Sequence, residues 1–413
     1  MRRQRGLVRL MGLAALVGLW VAAKPAGATS VTEQSASILM FPKVIANGSR
    51  DTVIQITNTS NNMRHAHCFY VNAALTIPND PNVPEGPSNP PLWTETDFDI
   101  WLTKQQPTHW VVSRGRRDPA EESQSCRQTV CDPDTSGTTV ANCCDSGLDP
   151  GFVPPVAPDF VGELKCIETD ASGAPVGGNA LKGEATLVQL DGTSDVSKYN
   201  AIGLKGFDTN DRNNVLCVGG GVSDLCPFGA EYAACPDTWI LDHPVIDSHD
   251  AVVENAPCPA DSTCSSTVSA NLTVIPCTED FENQAPPAIV LQFVVTNEFE
   301  QSFSASTTFQ CWKSIDLNDI SGGIIFTEGT LGGTVARTRM KSLLAATNTS
   351  TAFPPGTGVL PVIEETHTAT VTDNTKATSV TLVTRSAQNA HSTFTDKTAT
   401  DFIVIPEGQG GDQ

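Results

Sequence analysis

The chain has 413 residues, with 46 Asp and Glu against 25 Lys and Arg, a net charge of −21. An acidic balance of that size argues against binding nucleic acid or an anionic lipid surface through a basic face. Signatures of the common enzyme classes are absent: there is no G-x-S-x-G elbow, H-E-x-x-H helix or phosphate-binding glycine loop.

Residues 1–28 read as a secretory signal peptide. MRRQRGLVR is a basic leader, LMGLAALVGLWVAA an apolar run of 14 residues, and Ala26-Gly27-Ala28 a small-residue cleavage site. An apolar run of that length suits a signal core better than a bilayer span, and no later segment reads as a membrane span. The leader holds five of the 25 basic residues and none of the 46 acids, so the mature balance becomes −26. The expected location is secreted or periplasmic.

Helical periodicity is scarce beyond the leader, and short strand-like segments follow one another. SILMFPKVI (37–45), DTVIQITNTS (51–60), HCFYVNAA (67–74), DFDIWLT (97–103) and HWVVSRG (109–115) open the series. In TVIQIT, alternate residues take opposite faces, as in a sheet packed on one side. Residues 116–159 then carry four cysteines and six prolines with little periodicity, which predicts a disulfide-stapled insertion. Strands resume in FVGELKCIET (160–169) and GEATLVQL (183–190), closing a first unit at 29–205. A turn-rich, cysteine-rich connector spans 206–265, a second strand series 266–406, and a flexible tail 407–413.

The strands TVIQITNTS and FDIWLTKQQ, with the Cys-aromatic strand between them, resemble the immunoglobulin-like sandwich modules of secreted bacterial proteins. The resemblance covers roughly residues 37–112 and implies a fold and a secreted habit rather than an activity. The expected fold class is therefore all-β: two immunoglobulin-like β-sandwich units with disulfide-rich loop insertions. A weak internal repeat accompanies it. Thr57-Asn58 precedes Cys68-Phe69, and Thr296-Asn297 precedes Cys311-Trp312, through either duplication or two unrelated hairpins.

All thirteen cysteines lie beyond the leader, and no CxxC pair occurs. A disulfide framework is the natural reading, with at least one thiol left over by the odd count. The candidates are Cys68, Cys166, Cys277, Cys311, Cys258, Cys264, Cys126, Cys131, Cys143 and Cys144.

RHAHCFY (64–70) is the most suggestive motif. On a strand His65, His67 and Phe69 share one face and Cys68 takes the other, so the cysteine cannot join the histidines at one metal. Two histidines at this spacing would need a third ligand, for which His109 is the candidate. The plainer reading puts the histidine pair on a solvated face and Cys68 in a disulfide beneath. Asp132, Asp134 and Ser136 in CDPDTSG reproduce the opening of a calcium loop, but position twelve is Cys143, where a bidentate acid belongs. Calcium is thus the single cofactor the sequence suggests, and none is required.

The favoured expectation is a non-enzymatic binding or structural protein, serving recognition, adhesion or the envelope and displaying loops from β-scaffolds. Its partner would be a protein or glycan at the cell envelope or outside the cell. Two alternatives remain: a metal-dependent hydrolase using His65, His67 and His109, and a calcium-stabilised carbohydrate-binding module.

Overall fold

The computed structural model describes residues 32–77, 89–116, 150–190, 195–207, 213–248, 258–282, 288–345, 356–392 and 400–406. The expected strands form. β1 (Ile38–Ala46), β2 (Arg50–Asn58), β3 (Arg64–Asn72), β4 (Thr94–Leu102) and β5 (Pro107–Val111) lead the first half. β6 (Phe160–Thr169), β7 (Leu181–Gln189), β8 (Val196–Asn200) and β9 (Ile202–Leu204) complete it. There follow β10 (Val215–Val218), β11 (Thr238–Pro244), β12 (Ser262–Pro276), β13 (Glu279–Asp280), β14 (Ala288–Asn297), β15 (Ser302–Gln310) and β16 (Lys313–Asp316). The last are β17 (Val335–Leu344), β18 (Val359–Asp373), β19 (Thr378–Asn389), β20 (His391–Ser392) and β21 (Asp401–Val404). Helix is confined to a 3-10 segment at Leu317–Gly322 and one turn at Glu328–Leu331.

These strands form five sheets, in the orders β4-β3-β6-β1-β9, β5-β2-β7-β8, β10-β21-β13, β15-β14-β17-β11-β20 and β16-β12-β18-β19. The molecule is all-β as expected, but the expectation of two immunoglobulin-like sandwich units is wrong: the sheets are arranged as a five-bladed β-propeller. The physical reason lies in the β4-β3-β6-β1-β9 sheet. In a sandwich unit it would keep one face in water, yet β1 is buried along its whole length and β3 at all but its first residue.

Its two faces serve different cores. Leu39, Phe41, Cys68, Tyr70, Leu164 and Cys166 pack against the β5-β2-β7-β8 sheet, with Ile54, Ile56, Trp110 and Leu187. On the other side Ile38, Met40, Phe69, Val71 and Ile167 join a larger core. That core draws Leu272 and Val274 from β12, Phe293 from β14, Met340 from β17 and Ile403 from β21. One apolar core therefore runs from the first strands to the last.

A bulge in β1 ties these layers together. Register against β6 shifts between Phe41 and Val44, where Pro42 and Lys43 stand. A bulge is one of the few places a sheet tolerates proline, and it re-aims the next side chain. The Pro42 carbonyl accepts a bond of 2.8 Å from Trp312 Nε1, and Lys43 Nζ reaches Glu364 Oε2 of β18 at 2.8 Å.

The suggested internal repeat is absent from the fold. β2 and β3 lie in different sheets, whereas their supposed counterparts β14 and β15 pair with each other. Four disulfides stand among the described residues: Cys68–Cys166, Cys217–Cys226, Cys235–Cys277 and Cys258–Cys264. Such a set fits an extracellular location. Cys311 is buried in the larger core, and Cys126, Cys131, Cys143 and Cys144 lie outside the described residues. Among the described residues, no helix is long and apolar enough to cross a membrane.

Candidate functional site

β4, the outermost strand of its sheet, reads TETDFDIWL, and its alternation is strict. Phe98, Ile100 and Leu102 enter the core shared with the neighbouring sheet. Glu95, Asp97, Asp99 and Trp101 therefore take the opposite face. Antiparallel register sets His65 of β3 opposite Trp101, His67 opposite Asp99, Phe69 opposite Asp97 and Val71 opposite Glu95. Two histidines and three carboxylates thus converge on one patch, with a tryptophan at its end.

His65 stacks on Trp101, with ring centroids 4.0 Å apart and planes 15° from parallel. Its Nδ1 lies 3.1 Å from the Asp170 carbonyl oxygen and 2.7 Å from the Thr169 hydroxyl. Its Nε2 lies 2.9 Å from Asp99 Oδ1. The same Asp99 oxygen stands 3.0 Å from His67 Nδ1, and His67 Nε2 is 3.4 Å from Asp97 Oδ2.

The electrostatics follow from these contacts. Burial disfavours a charged His67, but its contacts with Asp97 and Asp99 outweigh that and raise its pKa to about 9. Burial also works against an ionised Asp99, and the two imidazoles overcome it, holding the carboxyl below its ordinary range. Glu95 goes the other way. Burial, reinforced by the Asp97 charge and opposed by His67, lifts it to about 7, and its Oε2 is buried without a hydrogen-bond partner.

The histidines are not on a solvated face, as the plainer sequence reading held: His65 is 7% exposed and His67 5%. The more open groups are Asp97 and Asp99, whose side chains are 37% and 30% exposed. His109 does not join the pair. It is exposed on β5, opposite Gln55, in another sheet. Its neighbour Trp110 turns inward to donate from Nε1 to the Tyr70 hydroxyl at 2.5 Å, so His109 points away from β3. Tyr70 itself is on the face of β3 opposite the histidines. Among the described residues, no group of three or more His, Cys, Asp or Glu is arranged to hold a metal. The calcium candidates Asp132, Asp134 and Ser136 lie outside the described residues.

The sequence reading named the histidines but not their partners. The signal was available: D-x-D in DFDIWLT has the same spacing as H-x-H in RHAHCFY, and adjacent pairing of the two strands sets them one step out of register, with His67 opposite Asp99, His65 opposite Trp101 and Asp97 opposite Phe69.

No protein-family model matches the chain, and no curated protein sequence matches it. Among solved structures it is similar to a protein of Parabacteroides distasonis ATCC 8503 described as a candidate secreted protein. The identity is 8% and the TM-score 0.16, over 78% of this chain and 86% of that one. It is also similar to the N-terminal tandem CBM22 domains of Xyn10C from Paenibacillus barcinonensis. That match has 9% identity and a TM-score of 0.15, over 81% of this chain and 84% of that one. Likeness at this level leaves the architecture to be read from the strand pairing above.

Proposed function

We propose that this is a secreted or periplasmic, non-enzymatic binding protein whose β4 face takes a neutral, hydroxyl-rich ligand, a glycan. The observation that carries the reading is the half-buried Glu95, with its orphaned Oε2, beside the partly open Asp97 and Asp99. An unsatisfied buried carboxylate oxygen costs stability, and groups perturbed in this way concentrate where ligands bind. Carboxylates accept hydrogen bonds from sugar hydroxyls and repel phosphate or uronate groups, which disfavours an anionic ligand. Trp101, backed by the His65 ring, offers the flat apolar element that complements the polar groups.

The two buried histidines act as the support of this surface. By holding Asp99 from the adjacent strand, they keep its carboxylate ionised and in one orientation, which lowers the ordering cost of binding. An array of neutral polysaccharides and oligosaccharides, probed with the purified protein, tests the reading. Binding should be lost in Trp101→Ala and kept in Lys198→Ala, a change at an exposed ion pair in another sheet. Silence across the array, or binding indifferent to Trp101→Ala, would refute it.

A further inference from the structure

The face of β3 that carries the histidines continues onto β6, where it meets a second cluster. Register places Lys165 opposite Phe69 and Glu163 opposite Val71. Glu279 of β13 approaches this face from the β10-β21-β13 sheet, and its Oε2 accepts a hydrogen bond from Lys165 Nζ. Glu163 Oε2 lies 3.2 Å from the same nitrogen. All three side chains are fully buried. Lys165 Nζ also donates to the Pro276 carbonyl at 3.4 Å, and on another side the Phe281 ring, 5.9 Å away, stacks on Phe69 at 4.4 Å between centroids.

One amine and two carboxyls sealed from water make an expensive ion set, since desolvation of charges exceeds their mutual attraction unless every remaining lone pair is satisfied. Here it is not: Glu163 Oε1 and Glu279 Oε1 are buried with no hydrogen-bond partner. Moving one proton from the ammonium to Glu163 leaves a neutral amine between a neutral acid and the Glu279 carboxyl group, with no change in total protons. Burial pushes in that direction, lowering the affinity of Lys165 for its proton and raising that of Glu163. A neutral lysine in an apolar pocket is a nucleophile, and it stands against the carboxyl carbon's own oxygen.

We propose that Lys165 and Glu279 form an intramolecular amide bond, with Glu163 as the proton carrier. Lys165 Nζ attacks Glu279 Cδ, forming the C–N bond and placing the displaced electron pair on the carboxyl oxygen. Glu163, as the acid, protonates that oxygen, then takes a proton from the nitrogen and delivers it to the departing hydroxyl. The C–O bond breaks, the carbonyl re-forms, and one water leaves. The lysine amine, the Glu279 carboxylate and the proton carried by Glu163 become a secondary amide plus water, and Glu163 ends as a carboxylate. Permanent contact in a rigid core supplies the proximity that makes a poor leaving group tolerable. The bond would join β6 to β13 across 114 residues of sequence, covalently tying the β4-β3-β6-β1-β9 sheet to the β10-β21-β13 sheet. It is independent of the glycan reading.

The test is the mass of the purified, reduced and denatured protein, followed by proteolysis. The expected result is a mass one water below that of the linear chain, with the peptides bearing Lys165 and Glu279 recovered as one branched species. Lys165→Met and Glu279→Ala should each show the linear mass. Glu163→Ala keeps both reacting groups and should accumulate the unlinked form. Wild-type protein with the linear mass, giving Lys165 and Glu279 on separate linear peptides, would overturn the proposal without recourse to any variant. Full linkage in Glu163→Ala would overturn the role given to Glu163.

Discussion

His67 sits between two carboxylates that hold its proton, and this makes the stability of the fold depend on pH in a definite direction. Its folded pKa is raised from 6.5 to about 9, so the stabilisation is complete below pH 6.5 and disappears as pH rises through about 9. Glu95, raised from 4.5 to about 7, also loses its contribution with rising pH, but in a lower window. Between pH 7 and 9 His67 therefore dominates within this cluster. Chemical denaturation of wild type should show stability falling across that interval, and His67→Gln should flatten the fall. An unchanged slope would remove the imidazolium from the account. Glu364 has the opposite sign. Burial would raise its pKa, but Lys43 and Arg50 more than offset that and hold it at about 2, with the Ser197 hydroxyl donating at 2.6 Å. Its contribution is present above pH 4.5 and lost as pH falls toward 2. Glu364→Ala leaves Lys43 buried and without its carboxylate, a change that costs about 3–5 kcal/mol in denaturant titrations. A loss under about 1 kcal/mol would contradict that role.

At the scale of strands, alternation in RHAHCFY correctly separated Cys68 from the histidines, and Cys68 faces Cys166 directly across the β3–β6 pair. Alternation identifies two faces; it does not say what covers them. The histidine face was expected in water because His65 and His67 are polar, yet the following residues, Cys68 to Val71, are continuously apolar. So is Ile38–Phe41 in β1. Unbroken apolar runs mark strands covered on both sides, and this was the legible clue to the buried sheet. The polar residues on that face are accommodated by pairing, His65 and His67 with aspartates and Lys165 with glutamates. The Cys68–Cys166 bond closes a segment of 98 residues that includes β4 and β5. Long closures restrict the unfolded chain most, so Cys68→Ala/Cys166→Ala should lower stability by about 2–5 kcal/mol. Equal denaturation midpoints for the double variant and wild type would show that packing alone holds β3 to β6.

The architecture of the whole molecule was the least legible level. Strand content and most strand positions follow from local pattern, but sheet membership depends on pairings that no local pattern encodes. β1 pairs with β6 and β9, β10 with β21, and β11 with β17 and β20, each across long stretches of chain. Two similar strand pairs therefore suggested a repeat where one pair is split between sheets and the other is a hairpin. Folding in this manner puts β3 and β6 between two cores, and one face of their sheet holds both the carboxylate–histidine patch and the Lys165 cluster. The functional claim rests on the patch. Calorimetric titration of the array-selected neutral glycan into wild type, Asp97→Ala and Trp101→Ala tests it most directly. The account predicts saturable binding to wild type and affinity at least about tenfold weaker in each variant, or ~1.4 kcal/mol. Equal affinity in all three proteins would place the glycan elsewhere and contradict the account.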